Sequence, residues 1–264
     1  MKLSIITVCK NAVESIGKTI ESVINQTFTD YEYIIVDGAS TDGTVDAIKK
    51  YSERISKLIT EPDIGIYDAM NKGINMSSGE YLMFLNAGDY FIHSSVLKRV
   101  FDYKLHGDII YGIGLIEFSN GFIFRKTFPK KISKFYMFMD TIPHQDSLTR
   151  KIVFEKSEGF NSNFIIAGDY DFFIKSLYQN HFTYQYIPEA IAVNDLTGLS
   201  RKKKYKNVTK NERKSIAERY FTKSQMIIYS SIKPFYFLMI KYPKYLFNLI
   251  NSILRQNSII TKIK

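Results

Sequence analysis

Four short apolar runs, separated by amphipathic stretches, dominate the first third of the chain. Leu3 to Val8, Glu32 to Val36, Ile55 to Thr60 and Tyr81 to Leu85 read as strands, and the unbroken apolar character of Leu3 to Val8 and Tyr81 to Leu85 is the pattern of strands buried on both faces. Between them, Glu14 to Asn25 places apolar residues at 16, 20, 23 and 24, a helical spacing. A second helix is predicted from the Thr41–Asp42 cap to about Tyr51 and a third from Tyr67 to Met76, after an Asp63–Ile66 loop. This alternation predicts a doubly wound α/β sheet.

Further on, Val96 to Leu105 reads as a helix. Asp108–Phe118 and Gly121–Thr127 read as a hairpin turning at Ser119-Asn120-Gly121. Phe128 to Asp140 is basic and aromatic without a period and reads as a mobile loop. A helical turn at Ile152–Glu155, a helix over Gly168–Gln179 and a strand over Thr183–Val193 follow. Residues 205–223 read as a polar helix. The apolar blocks beyond it, Met226–Tyr229, Phe235–Ile240 and Tyr245–Ile250, are divided by Pro234 and Pro243 into helices too short to span a bilayer.

Charge separates the chain into two parts. Residues 1–199 carry 20 Lys and Arg against 24 Asp and Glu, whereas residues 200–264 carry 16 against 2, so the net +10 belongs to the tail. The expected organisation is a domain over 1–200 and a basic aromatic helical extension over 201–264. Apolar blocks flanked by Lys and Arg suit an anionic membrane surface, with packing on the domain or a homodimer interface as the alternative. Nucleic acid is not an expected partner, because the basic residues alternate with aliphatic blocks rather than with stacking aromatics on a sheet. The single cysteine, Cys9, permits no internal disulfide, and four scattered histidines show no metal spacing. The first apolar run is too short for a signal peptide, and a reducing, cytoplasmic setting is expected.

Polar side chains close the strands. Asn11 follows the first, Asp37 the second, and Asn86-Ala87-Gly88-Asp89 the fourth. Ligands of open α/β sheets bind beyond the carboxyl ends of strands, so these loops should converge on one cleft. An acid beside an amide and a glycine can hold a divalent cation against a diphosphate; equally, Asn-Ala-Gly-Asp makes an ordinary turn. Asp169 and Asp171 open a helix, where acids also serve simply as favourable end charges.

Ser4–Asn11, Val36–Thr44, Glu80–Asp89 and Ala167–Asp171, in this order and spacing, resemble family-two inverting glycosyltransferases with the GT-A fold, over roughly residues 1–200. The resemblance implies a mixed, doubly wound sheet with a Rossmann-like nucleotide-binding half. It also implies a nucleotide-diphosphate sugar donor, usually a UDP-sugar, with Mn²⁺ or Mg²⁺ under the diphosphate. By this likeness Thr7 and Val8 line the nucleoside pocket and Asp37 bonds the base. Asn11, Asp42, Asn71, Lys72, Asn86, Ala87 and Gly88 fall on the donor side, and Asp89 is the metal ligand. Asp169 matches the catalytic base and Asp171 a positioning acid. His144 and Gln145 face the acceptor, and Asn194 to Ser200 followed by Arg201–Lys204 resembles a flexible lid that closes over the diphosphate. This chain departs from the pattern at Asn86–Gly88, where an acid is frequent, at Gly168, where a Glu is, and at Met70, where an Arg is. The implied reaction adds a sugar to a carbohydrate acceptor, lipid-linked, for a bacterial surface polysaccharide at the inner membrane face. A nucleotide-sugar-binding protein without turnover is the rival from another class. A nucleotidyltransferase would carry a Gly-rich basic loop after the first strand, which Cys9-Lys10-Asn11-Ala12 is not.

Overall fold

A computed structural model describes residues 1–118, 121–195 and 202–241. The chain divides into two compact units, Met1–Ile216 and Ala217–Lys264. The first unit therefore runs past the charge boundary at 200 and takes in much of the helix that follows it.

The first unit is built on one mixed sheet. Its N-terminal half contains β1 (Leu3–Cys9), β2 (Tyr31–Asp37), β3 (Lys57–Thr60) and β4 (Tyr81–Phe84), parallel in the order β3-β2-β1-β4. The intervening helices are α1 (Val13–Ile24), α2 (Thr44–Lys49) and α3 (Ile66–Met76). β1 and β4 are buried along their whole length, which is why both read as unbroken apolar runs. α3 lies so close to β1 that a Cβ on Gly73 would meet Ile6 Cγ2 at 2.4 Å. At the opposite strand ends, buried Glu32 accepts from Ser4 Oγ at 2.6 Å and from Ser78 Oγ at 2.8 Å, and pairs with Lys57 at 3.0 Å. Burial alone would raise this carboxyl, but the bonds outweigh it and hold it down at about 2.

The C-terminal half reverses direction. It contains β5 (Tyr90–Phe91), β6 (Ile109–Glu117), β7 (Ile123–Lys126), β8 (Ser147–Arg150) and β9 (Tyr184–Asp195). β8 pairs antiparallel with both β4 and β6, β9 runs parallel to β6, and β5 closes the far edge against β9. α4 (Val96–Asp102) covers β9, and β7 forms a hairpin with β6. The sheet is mixed, and its Rossmann-like half is the parallel one.

Three expectations need correction. The segment read as a mobile loop contains α5 (Lys134–Met139), capped by Ser133 Oγ accepting from Tyr136 N–H, with Phe128 and Ile132 buried on either side of exposed Lys130 and Lys131. Its anchors are scattered singly, so no period betrayed them. β5 and β8 had no sequence signal of their own; each is too short and forms by pairing with strands already in place. Finally, Pro234 lies inside α9 (Lys223–Lys241) rather than ending it. A proline removes one hydrogen bond and crowds the preceding turn, which an outer helix can absorb by bending. The block at 245–250 lies outside the described residues. Among the described residues, no helix is long and apolar enough to cross a membrane.

α6 (Lys151–Lys156) and α7 (Gly168–Ile174) pack on β4 through an aromatic cluster. Phe84, Phe154, Phe160 and Phe172 meet there with ring centroids 4.6–5.9 Å apart. α8 (Lys206–Tyr220) begins within the first unit. Its Glu212 accepts from the backbone N–H groups of Ile165, Ile166 and Ala167 at 2.7–3.0 Å, and Arg213 lies 4.0 Å over the Tyr170 ring. The loop that delivers α7 to the sheet is thus pinned by a residue more than forty positions downstream.

Candidate active site

Beyond the carboxyl ends of β1 and β4 lies a cavity of about 690 Å³. Five segments form its walls: Val8–Ala12 after β1, Asp63–Tyr67 before α3, Asn86–Asp89 after β4, Thr141–Gln145, and the Ile165–Asp169 entry to α7. Asn194 and Asp195 at the end of β9, and Lys202, complete it. The geometry follows from sheet topology, since the parallel strands all discharge their loops on one edge.

Of the residues singled out in the sequence, Val8, Asn11, Asn86, Ala87, Asp89, His144, Gln145 and Asp169 line this cavity. The others do not. Thr7 is fully buried, donating to Leu85 O at 2.7 Å and meeting Tyr33 OH at 3.0 Å, because β1 turns this side chain into the core. Asp37 likewise has no exposed surface; it accepts from Ser40 N–H at 3.0 Å and from Ser40 Oγ. Ser40 Oγ in turn accepts from Asn11 N–H at 2.8 Å, so Asp37 shapes the wall without reaching it. Asp42 accepts from Val13 and Thr44 N–H, joining the starts of α1 and α2. Asn71 is spent on Phe160, bonding both its carbonyl and its N–H, and Lys72 pairs with Glu61 at 2.9 Å and Asp68 at 3.5 Å. Gly88 takes φ +103° beside Asp195, whose Oδ2 a Cβ would meet at 2.8 Å. Asp171 is buried on α7, off the wall. Arg201 lies outside the described residues. Asp89 and Asp169 therefore share one hollow, and the third carboxylate expected there, Asp37, stands behind it.

The sequence reading missed several wall residues. Asp63 follows β3, and its carboxylate packs so tightly on Gly38 that a side chain there would overlap it. The strand-end rule that picked out Asn11 and Asp89 would have found it. Asp146 hides directly behind the wall with no exposed surface, bonded by Asn194 Nδ2; Asn194 and Asp195, expected to open the lid, instead close β9 and do line the cavity.

The electrostatics reflect burial. Asp89 is driven up to about 6 by desolvation, against the pull of Asp195 N–H, which donates to its Oδ1 at 2.8 Å. Asp146 is driven up to about 7 by desolvation, against a 3.1 Å bond from Asn194 Nδ2 and with the Asp89 charge adding to the rise. Asn86 Oδ1, Asp146 Oδ1 and Asn194 Oδ1 are buried without a hydrogen-bond partner among the described residues. Such concentration is unusual for an ordinary turn and is the kind of grouping found at functional sites.

His144 joins two of these segments. Its Nδ1 lies 3.3 Å from Asp169 Oδ2 and its Nε2 3.0 Å from Asn86 Nδ2, with the ring edge-on to Phe84. Asp169 Oδ1 accepts from Tyr170 N–H at 2.8 Å, and Tyr67 OH stands 3.5 Å away. With the Asn86 amide nitrogen facing Nε2, that ring nitrogen is the acceptor and the ring hydrogen falls on Nδ1, aimed at Asp169.

Donor chemistry at the Asn86–Asp89 corner is all oxygen: a buried carboxylate with an unpartnered amide oxygen nearby. That suits a hard divalent cation such as Mg²⁺ or Mn²⁺. Among the described residues no three His, Cys, Asp or Glu side chains form a cage, so a cation here would depend on substrate oxygens and water for the rest of its shell.

Comparisons with known proteins agree with this geometry. The family model for glycosyl transferase family 2 matches residues 4–177. A PGL/p-HBAD biosynthesis glycosyltransferase of Mycobacterium bovis is 28% identical over 204 residues, covering 75% of this chain and 78% of that one. An uncharacterized glycosyltransferase of Mycobacterium tuberculosis is 30% identical over 179 residues, covering 66% and 68%. The crystal structure of S. aureus TarS 1-349 in complex with UDP-GlcNAc superposes with a TM-score of 0.61 at 19% identity, over 74% of this chain and 58% of that one. A mannosyltransferase from Pyrobaculum calidifontis in complex with GDP-Man and Mn²⁺ gives a TM-score of 0.56 at 17% identity, over 73% and 56%. This chain thus spans under two thirds of either solved relative, and the likeness to them is one of fold.

Proposed function

This chain belongs to glycosyl transferase family 2, and from that premise we propose that it transfers a sugar, with inversion, from a nucleotide-diphosphate donor to a carbohydrate acceptor. The donor read from the family likeness is a UDP-sugar. The acceptor is proposed to be lipid-linked, in the making of a surface polysaccharide or glycolipid at the inner membrane face. Relatives named for PGL/p-HBAD biosynthesis and as a poly(ribitol-phosphate) beta-glucosyltransferase support that direction.

The observation that carries the reading is the pair of carboxylates facing one cavity from different segments, Asp89 from the end of β4 and Asp169 from the start of α7. Inversion is a single displacement. The acceptor oxygen bonds to the anomeric carbon as the bond from that carbon to the diphosphate oxygen breaks. The electron pair leaves with the nucleoside diphosphate, and the acceptor proton needs a base. Asp169 is assigned that role, held from one side by Tyr170 N–H and from the other by His144 Nδ1–H. Val8, Asn11 and Asp63 are assigned to the nucleoside side, and Lys10 and Lys202 place positive charge on the wall where a diphosphate would lie. When bound at Asp89, Mn²⁺ or Mg²⁺ would neutralise the departing oxygens. Asn86 and Ala87 shape the floor beside it.

The test is Asp169→Asn. Transfer should fall by about 10²-fold or more, while UDP still raises the melting temperature as in the parent. Turnover near the parental rate would remove Asp169 from the role. A protein that binds nucleotide-sugar without turnover is the second reading, favoured by the lack of a second acid within Asn86–Gly88 and of a Glu at Gly168. Binding of UDP without hydrolysis or transfer to any acceptor would decide for it. The basic helical tail is proposed as a membrane-surface anchor, with a homodimer interface as its alternative.

A further inference from the structure

The β6–β7 hairpin carries apolar side chains that serve neither core nor cavity. Phe118, Phe122, Ile123 and Phe124 are 41%, 62%, 40% and 48% exposed. Successive strand residues point to opposite faces, so Ile123 and Phe124 lie on the two sides of the ribbon. Among the described residues β7 pairs with β6 alone, which leaves its outer edge without a neighbouring strand there. A protein-docking face is one-sided, whereas exposed apolar side chains on both sides of a ribbon suit a medium that surrounds it.

Charge selects that medium. From Phe118 to Met139 the chain has Arg125, Lys126, Lys130, Lys131 and Lys134 and no acid. The flanking acids are Glu117, which pairs with Lys18 at 3.0 Å, and Asp140, which pairs with Lys126 at 2.8 Å, so Arg125, Lys130, Lys131 and Lys134 supply the charge. Lys130 and Lys131 are held outward because Phe128 and Ile132 are buried on either side of them. The backbone there is further fixed by Tyr111 OH to Pro129 O at 2.6 Å and by Ile132 N–H to Tyr184 OH at 3.0 Å. Aromatic tips above a collar of fixed cations fit the headgroup layer of an anionic bilayer. The strands of the hairpin also reach the cavity, through Ile116 on β6 and Lys126 on β7.

We propose that the β6–β7 hairpin dips into an anionic membrane surface and sets the cavity mouth against it. This surface belongs to the first unit and is distinct from the tail. Its truth does not depend on the transfer reading, for a protein that only bound nucleotide-sugar could dock in the same way.

The chain contains no tryptophan, so Phe122→Trp in the full-length protein provides a single site-specific fluorophore. With equimolar phosphatidylglycerol–phosphatidylcholine vesicles its emission should shift to the blue and be quenched by brominated lipid, and high salt should weaken both effects. Adding Lys130→Glu and Lys131→Glu should lower the vesicle-bound signal severalfold, with transfer to a water-soluble acceptor unchanged. Protein that pellets with vesicles while the tryptophan stays unshifted and unquenched would overturn the proposal, leaving the tail as anchor. A blue shift without vesicles that grows with protein concentration would overturn it in favour of a second copy. Loss of transfer in Asp169→Asn bears on the chemistry alone, so the two proposals fail separately.

Discussion

His144 has both ring nitrogens committed, one to an amide donor and one to a carboxylate acceptor, and this explains the amide at position 86. A carboxylate there would oppose Asp169 across the same ring, demanding a doubly protonated imidazole and a weaker base beyond it. Asn86 can donate to Nε2, which leaves the ring hydrogen on the side of Asp169. His144 is accordingly a positioning residue for Asp169. In His144→Ala, kcat should fall by about 10- to 100-fold, the scale of one lost charge-assisted bond, with donor KM nearly unchanged. His144→Asn, whose amide N–H can replace Nδ1–H, should recover part of that loss, and His144→Gln less. A rise in acceptor KM at constant kcat across all three would instead assign His144 to acceptor contact.

Among the elements, β2 and its neighbours are tied together by Glu32, and that tie depends on pH. The carboxyl is held near 2 in the folded protein, below its ordinary value of 4.5, so its contribution is complete above about pH 4.5 and is lost as pH falls toward 2. Glu32→Gln should lower the melting temperature by roughly 3–10 °C at pH 7, corresponding to about 1–3 kcal/mol for the weakened Ser4, Ser78 and Lys57 contacts. The gap should close as melts are repeated toward pH 2.5; an equal deficit at both ends would show that packing, not ionisation, is responsible. The elements that the pattern exposed most plainly were strands buried along nearly their whole length, β1, β2 and β4, and α1, which buries one clean face through Ile16, Thr19, Ile20 and Val23. β8 and α5 have residues that face several environments at once, so no period survives in them.

For the whole molecule, the decisive question is what fills a cavity lined by Asp89, Asn194 and Asp195 on one side and Lys10 and Lys202 on the other. Thermal melts with UDP-, GDP- and dTDP-sugars, each with Mn²⁺ or with EDTA, answer it directly. The matching donor at about 100 times its Kd should stabilise the fold by about 2.7 kcal/mol. EDTA should remove most of that shift, and Asp89→Asn should behave as EDTA does. A shift indifferent to metal would detach Asp89 from cation binding. The charge contrast between residues 1–199 and the tail remains a property of the whole chain, although the first compact unit extends to Ile216.

Chain chemistry alone determined the parallel half of the sheet, because strands buried on both faces must be apolar throughout, and it determined the polar strand ends, because a chain leaving a sheet edge needs turn-forming residues. It also placed Asp89 and Asp169 in recognisable local settings. Only the tertiary structure decided which polar side chains meet. Asp37 turned inward onto Ser40, Asn71 onto Phe160, and Asp63 outward onto the cavity, while Glu212 reached back across the fold to brace α7. Direction at a strand end is set by one or two backbone torsions and by whichever neighbour arrives from far along the chain, and neither is encoded in the residues adjacent to the acid.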